Sequence, residues 1–306
     1  MKTNLKSKIS AISVVVLSFL VSGTAYSRAI NSVPFQKEEF VEVAANVKLH
    51  VTDLGKGKPV VLIHGWPLSD EMYKYQYTDL VQKGFRVIGI TLRGFGLSDK
   101  PTGKYDYDVF ADDIKVVLDK LNIEGATLGG FSMGGAIVIH YVAKYKAAHV
   151  SKMALFGAAA PVWTKRNDFN YGLWTKEDVN GLIKLNDTDR AQLLDNFGKI
   201  FPGTSTSVST ENAAWLGSIQ AQASSYAMGE CLKALRDTDL RSDMKGIKIP
   251  TLILHGRLDK ICAYDLAEQM QKAIPGAKLV PLEKSGHALF VEELDKFNSE
   301  LISFIR

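Results

Sequence analysis

The chain has 306 residues, 46% of them apolar, and carries 37 basic against 33 acidic residues. Such a length and composition suit a soluble globular protein with one large core, or a core plus an inserted subdomain. The formal charge of +4 is set mostly by the first residues, so nothing in the balance calls for nucleic acid or an anionic membrane as partner.

Lys2, Lys6 and Lys8 form a positive start, and Ile9 to Val21 is an apolar run broken only by serines and one alanine. Ala25-Tyr26-Ser27 then offers small residues where a signal peptidase reads. Residues 1–27 are therefore expected to be a secretory signal peptide, and the protein periplasmic or secreted. The run is short for a bilayer span, and no Cys stands near the cleavage site for a lipid anchor. Removing the segment takes away three lysines and no acids, which leaves +1. Cys231 and Cys262 are the only cysteines. Export would permit a bond between them; two buried free thiols are the alternative, and the spacing does not choose.

Residues 28–306 read as a single domain. Glu39–Val43 and Val47–Val51 alternate apolar and polar around an Ala44-Ala45-Asn46 turn, the pattern of an edge hairpin. Pro59–Ile63 is a continuous apolar run, as in a strand buried on both faces, and it leads into His64-Gly65-Trp66-Pro67. Ser69 is placed to cap a helix running to Gln82. Phe85–Ile90 is a second buried strand, followed by the Gly-rich Thr91–Asp99 loop. Tyr107–Leu121 is an amphipathic helix. Ala126–Gly129 is a short strand, and Ala136–Tyr145 a helix. Val150–Gly157 makes a sixth strand. After Pro161, to about Ser242, the segments look helical and rich in aromatics, with a Ser/Thr-rich loop at 203–210. This stretch reads as a helical cap at about 161–242 over the sheet's C-terminal edge. Most of its aromatics are expected in the core. The strand pattern resumes at Pro250–Leu254 and at Ala277–Leu282, with helices at Tyr264–Ala273 and Phe290–Ile305. Alternating strands and helices predict a mainly parallel α/β sheet covered on both faces.

Between the Ala126 strand and the next helix lies Gly130-Phe131-Ser132-Met133-Gly134. A Gly-x-Ser-x-Gly run is the sequence form of a nucleophile elbow, a strained strand-to-helix turn that raises the serine hydroxyl above the sheet. Gly130 and Gly134 would spare the Cβ atoms that so tight a turn cannot hold. Asp259 and His287 each follow a later predicted strand. Serine needs a base to become a nucleophile, histidine can take and return its proton, and a carboxylate orients the imidazole. The amides of Trp66 and Met133 are the candidates to hold an oxyanion. Trp66 and Phe131 are candidate pocket walls. His255 reads as structural; His50, His140 and His149 show no partner pattern. No metal spacing and no dinucleotide fingerprint is present, so no cofactor is expected.

Gly65-Trp66-Pro67-Leu68-Ser69, Arg93-Gly94-Phe95-Gly96-Leu97-Ser98, Gly130-Phe131-Ser132-Met133-Gly134-Gly135, His255-Gly256 with Asp259, and Gly286-His287 together resemble the α/β-hydrolase superfamily. The His-Gly-Trp-Pro-Leu-Ser run is most similar to the cofactor-free (non-haem) chloroperoxidases and related arylesterases. The likeness covers roughly residues 35–306 and is strongest at these motifs. It implies hydrolysis of small esters through an acyl-serine. It also implies perhydrolysis, in which hydrogen peroxide replaces water and the peracid product oxidises halide. Lactone or C–C bond hydrolysis on the same three residues is an alternative, as is a slow small-ligand receptor. In the superfamily the loop before Arg93 often begins with Asp; here it begins with Thr91. Epoxide hydrolases and haloalkane dehalogenases share the His-Gly-Trp-Pro stretch but use Asp as nucleophile, against Ser132 here.

Overall fold

In the computed structural model, which describes residues 37–306, the alternating start forms β1 (Lys37–Ala44) and β2 (Val47–Gly55). They pair antiparallel across a turn whose Asn46 takes a left-handed φ of 59°. The expected signal segment lies outside the described residues. The apolar runs form β3 (Pro59–Ile63), β4 (Arg86–Ile90), β5 (Ala126–Phe131), β6 (Val150–Phe156), β7 (Thr251–Gly256) and β8 (Lys278–Leu282). Among the described residues these make one sheet in the order β1-β2-β4-β3-β5-β6-β7-β8. From β4 to β8 all neighbours are parallel, and β2 joins β4 antiparallel. Every residue of β5 and β7 is buried, which is why both read as unbroken apolar runs with glycines rather than as alternating strands.

β4 lies on one side of β3, and the chain then crosses to place β5 on the other. The connections therefore diverge beyond the C-terminal ends of β3 and β5, the position where open α/β sheets bind ligands. The helices cover the two faces. They are α1 (Lys74–Gln82), α2 (Tyr107–Lys120), α3 (Met133–Lys144), α9 (Tyr264–Ala273), α10 (Leu289–Glu292) and α11 (Leu294–Ile305). In α2, Tyr107, Phe110, Ala111, Ile114, Val117 and Leu118 form the buried stripe, and Asp106 caps the helix by accepting from Val109 N–H. That spacing is one face of a 3.6-residue period.

Four of the boundaries that differ from expectation have a local reason. The segment capped by Ser69 begins as a 3₁₀ turn over Asp70–Tyr73 before α1. α3 starts at Met133, not Ala136, because its first turn is built by the elbow itself. β5 continues through Phe131, two residues past Gly129. The last helix is split at Glu293, whose φ of −121° leaves the helical region; its carboxylate instead accepts from Lys284 N–H and Ser285 Oγ.

Between β6 and β7 the chain forms α4 (Lys176–Thr188), α5 (Arg190–Ile200), α6 (Thr210–Ala221), α7 (Ser225–Asp237) and α8 (Arg241–Met244). This is the helical cap inserted after the sixth strand. Trp163, Phe169, Phe197 and Phe201 are buried, while Tyr171 and Tyr226 are exposed. Cys231 and Cys262 are both buried free thiols.

Candidate active site

Ser132 stands between β5 and α3 with φ 54° and ψ −119°. A left-handed φ on a non-glycine residue costs on the order of 1–3 kcal/mol, and it persists only where the surroundings enforce it. Ser132 N–H donates to Phe156 O at 2.9 Å, and its carbonyl accepts from Ala159 N–H at 3.0 Å, so the end of β6 and the loop after it clamp the turn. The flanking glycines are steric requirements. A Cβ on Gly130 would meet Gly134 O across the turn. A Cβ on Gly134 would strike His64 O, at the end of the neighbouring strand rather than across the turn.

The three residues expected after strand ends come together. Ser132 Oγ lies 2.9 Å from His287 Nε2, and His287 Nδ1 lies 2.7 Å from Asp259 Oδ2. Their relative exposures are 6%, 0% and 7%. An ionised carboxylate only accepts, so Nδ1 carries the proton and Nε2 is left as acceptor for the serine hydroxyl. The other Asp259 oxygen accepts from Ile261 N–H and Cys262 N–H, each at 2.8 Å. The carboxylate is thus fixed at both ends.

His255 is fully buried beside this pair. Its Nε2 is 2.8 Å from Cys262 O and 3.6 Å from Asp259 Oδ2. Burial lowers its pKa, which keeps it neutral and leaves the Asp259 charge to His287. Trp163 Nε1 and Trp174 Nε1, from the start of the cap, both donate to Ile261 O at 2.9 Å. They brace the acid's turn from above.

The Gly65–Leu68 turn after β3 is closed by Leu68 N–H donating to Gly65 O at 2.8 Å. Among the described residues, no backbone carbonyl outside the helices and strands accepts from the amides of Trp66 or Met133. Both candidate oxyanion donors are therefore left for a ligand, and Met133 is also the first residue of α3, where the helix dipole favours negative charge. The Trp66 indole is occupied: Nε1 donates to Met228 O in α7 at 3.2 Å, and the ring meets Phe197 edge-on at 5.0 Å. Its side chain ties the cap to the Gly65–Leu68 turn. Phe131 packs on the imidazole of His287 at 4.6 Å and on Phe201 and Phe290. Phe201 in turn lines a largely apolar cavity of about 380 Å³ in the cap, with Leu194, Pro202, Val208 and Leu216.

His64, just before the oxyanion loop, is fully buried. Its Nε2 accepts from Leu92 N–H at 2.9 Å and its Nδ1 donates to Gly65 O at 3.0 Å. Burial pushes its pKa down to about 4. At Thr91, the position where the superfamily often carries Asp, the hydroxyl donates to the Asp70 carboxylate, which also accepts from Tyr77 O–H at 2.9 Å. A carboxylate is retained here but comes from the 3₁₀ turn. His50 lies 3.5 Å from the same carboxylate. His140 and His149, without partners in the sequence pattern, are each flanked by two carboxylates far along the chain. Among the described residues, no group of three or more His, Cys, Asp or Glu side chains is placed to hold a metal ion.

Fold and geometry together define an α/β hydrolase, and the comparisons agree. The family described as "alpha/beta hydrolase fold" matches residues 58–294, so the chain belongs to it. An AB hydrolase superfamily protein of Bacillus subtilis (strain 168) is 44% identical over 265 residues, 87% of this chain and 98% of its own. A non-heme chloroperoxidase of Kitasatospora aureofaciens is 32% identical over 273 residues, 85% of this chain and 96% of its own. The solved structure of an esterase from Exiguobacterium antarcticum is 40% identical, with a TM-score of 0.84 over 87% of this chain and 98% of that one. This chain lies close to the non-haem haloperoxidases within the family.

Proposed function

We propose that the protein is a serine esterase of small carboxylic esters, with perhydrolysis as a second outcome of the same intermediate. The observation that carries this is the unbroken chain Ser132 Oγ–His287–Asp259, at 2.9 and 2.7 Å. The similarity to an esterase and to a chloroperoxidase supports it.

In this reading Ser132 Oγ attacks the ester carbonyl carbon while its proton passes to His287 Nε2. Asp259 stabilises the imidazolium that results. Trp66 and Met133 N–H donate to the oxyanion, each worth about 3 kcal/mol in the transition state. Collapse breaks the bond to the alkoxy oxygen, which leaves with the proton from Nε2. Water then adds to the acyl-serine, gives a proton to Nε2, and Ser132 takes one back as the carboxylic acid leaves. With hydrogen peroxide in place of water, the same bonds break and form and the product is a peracid.

The test is a panel of aryl and alkyl esters of increasing acyl size, run with and without peroxide, on the native protein and on Ser132→Ala. Ser132-dependent turnover and peracid formation support the reading. Turnover on no ester favours a ligand-binding role. We further propose that residues 1–27 direct export, on the strength of the Lys2–Lys8 charges and the Ile9–Val21 run. N-terminal sequencing of the mature protein checks it; a chain still beginning at Met1 contradicts it.

A further inference from the structure

The turn that carries His287 is tied to the cap through one carboxylate. Glu292, at the end of α10, accepts from Gly286 N–H through Oε2 at 2.7 Å. Through Oε1 it accepts from Gly203 N–H at 2.7 Å and from Ser207 Oγ at 2.5 Å. Gly286 directly precedes His287, whereas Gly203 and Ser207 lie in the α5–α6 connection of the cap. A second set of bonds runs alongside. The Phe201 carbonyl accepts from His287 N–H at 2.9 Å and from Ala288 N–H at 3.1 Å. The Phe201 ring stands edge-on to the imidazole, with centroids 5.3 Å apart. The two backbones are in close approach: a Cβ on Gly286 would strike Gly203 N, and one on Gly203 would come within 2.7 Å of Gly286 N.

We propose that Glu292 is a positioning residue: its carboxylate joins the Phe201–Ser207 segment of the cap to the Gly286–His287 turn, and so holds the imidazole at its hydrogen-bonding distance from Ser132. The inference rests on reading His287 as the base. Three donors converge on this one group, and only the ionised carboxylate accepts on both oxygens. A proton on Oε2 would face Gly286 N–H, and one on Oε1 would have to displace Gly203 N–H or reverse the Ser207 bond. Burial, the largest influence, raises the Glu292 pKa, and the Asp259 charge adds to the rise; the Ser207, Gly203 and Gly286 donors oppose it. Asp259 is the charged group it faces from the β7 side, Ser207 is the polar side chain it meets from the cap, and the adjacent Glu293 is turned to Lys284 N–H and Ser285 Oγ. As the pH falls, the tie therefore loosens earlier than the ordinary glutamate value would dictate.

The test measures kcat and KM on p-nitrophenyl acetate from pH 5 to 8, with thermal unfolding in parallel, for Glu292→Gln, Ser207→Ala and the double variant. The Gln variant keeps the shape but presents an amide N–H to one of the two backbone donors. Its kcat falls about 10- to 100-fold, as for a sub-ångström displacement of a catalytic group, with KM little changed. Ser207→Ala, in the α5–α6 connection, loses about threefold in kcat, and the double variant is no slower than Glu292→Gln alone. Lowering the pH reduces the kcat of the native protein more than that of Glu292→Gln, whose side chain no longer titrates. A Gln variant with native kcat, losses that multiply in the double variant, or a fall that merely follows the unfolded fraction overturns the proposal. Should the Gln variant not fold, an unchanged kcat in Ser207→Ala overturns it. Turnover that survives Ser132→Ala overturns the base reading and this proposal together. Turnover that needs Ser132 but is indifferent to Glu292 overturns this proposal alone.

Discussion

Two of the regions that place histidine against carboxylate, the α2–α3 side and the sheet edge, differ in how the two ring nitrogens are used. On the α2–α3 side, His140 lies 3.1 Å from Asp108 and 2.7 Å from Asp243, and His149 lies 2.8 Å from Asp119 and 2.9 Å from Glu124. At the sheet edge His287 lies 2.7 Å from Asp259. The distances are alike. What differs is that His140 and His149 are each partly exposed with both ring nitrogens on carboxylates, whereas His287 is sealed from water with one nitrogen on an acid and the other on a hydroxyl. That hydroxyl belongs to Ser132, held at a left-handed φ of 54°. A histidine–carboxylate pair is therefore weak as a sign of function; the asymmetry of its two nitrogens and the burial around it carry the information.

The variants that separate the regions fall in order of size. Ser132→Ala removes the nucleophile, and kcat on p-nitrophenyl acetate drops on the order of 10⁴- to 10⁶-fold with the thermal transition retained. Asp259→Asn keeps an oxygen for Ile261 and Cys262 N–H but turns an amide donor toward Nδ1, which forces the wrong tautomer; kcat falls about 10⁴-fold. His64 gives a pH signature in stability rather than rate. Its folded pKa of about 4 lies below the ordinary value of 6.5, so between these values the unfolded chain binds the extra proton. The contribution is complete above pH 6.5 and is lost as the pH falls to 4, about 3 kcal/mol in all, read from urea unfolding across that window. His140→Ala and His149→Ala change unfolding by less than about 1 kcal/mol and leave kcat alone. A kinetic effect of either would erase the contrast between the two regions.

How much of this was legible follows from which forces are local in sequence. The elbow could be read because its constraint is local: a turn that admits no Cβ at Gly130 imposes itself on five consecutive residues. α9 was read to its ends, Tyr264–Ala273, because its apolar period is uninterrupted. The α3 start at Met133 was missed because Gly134 and Gly135 are poor helix formers by propensity, and the reason for them, the approach of Gly134 to His64 O, belongs to another strand. Asp70 replacing the expected carboxylate at Thr91 depends on two segments meeting in space. So does the Phe201–Glu292 tie, whose acceptors meet backbone N–H groups that leave no mark in residue type. The surface pairs of His140 and His149 were invisible for the same reason.

Covalent labelling tests most directly whether Ser132 is the attacking group. Treatment with an excess of an aryl organophosphonate, followed by intact-mass and peptide analysis, should show one adduct per chain, located on Ser132, formed in step with loss of esterase activity and abolished by His287→Ala. An adduct on any other residue, or complete loss of activity with Ser132 unmodified, would contradict it.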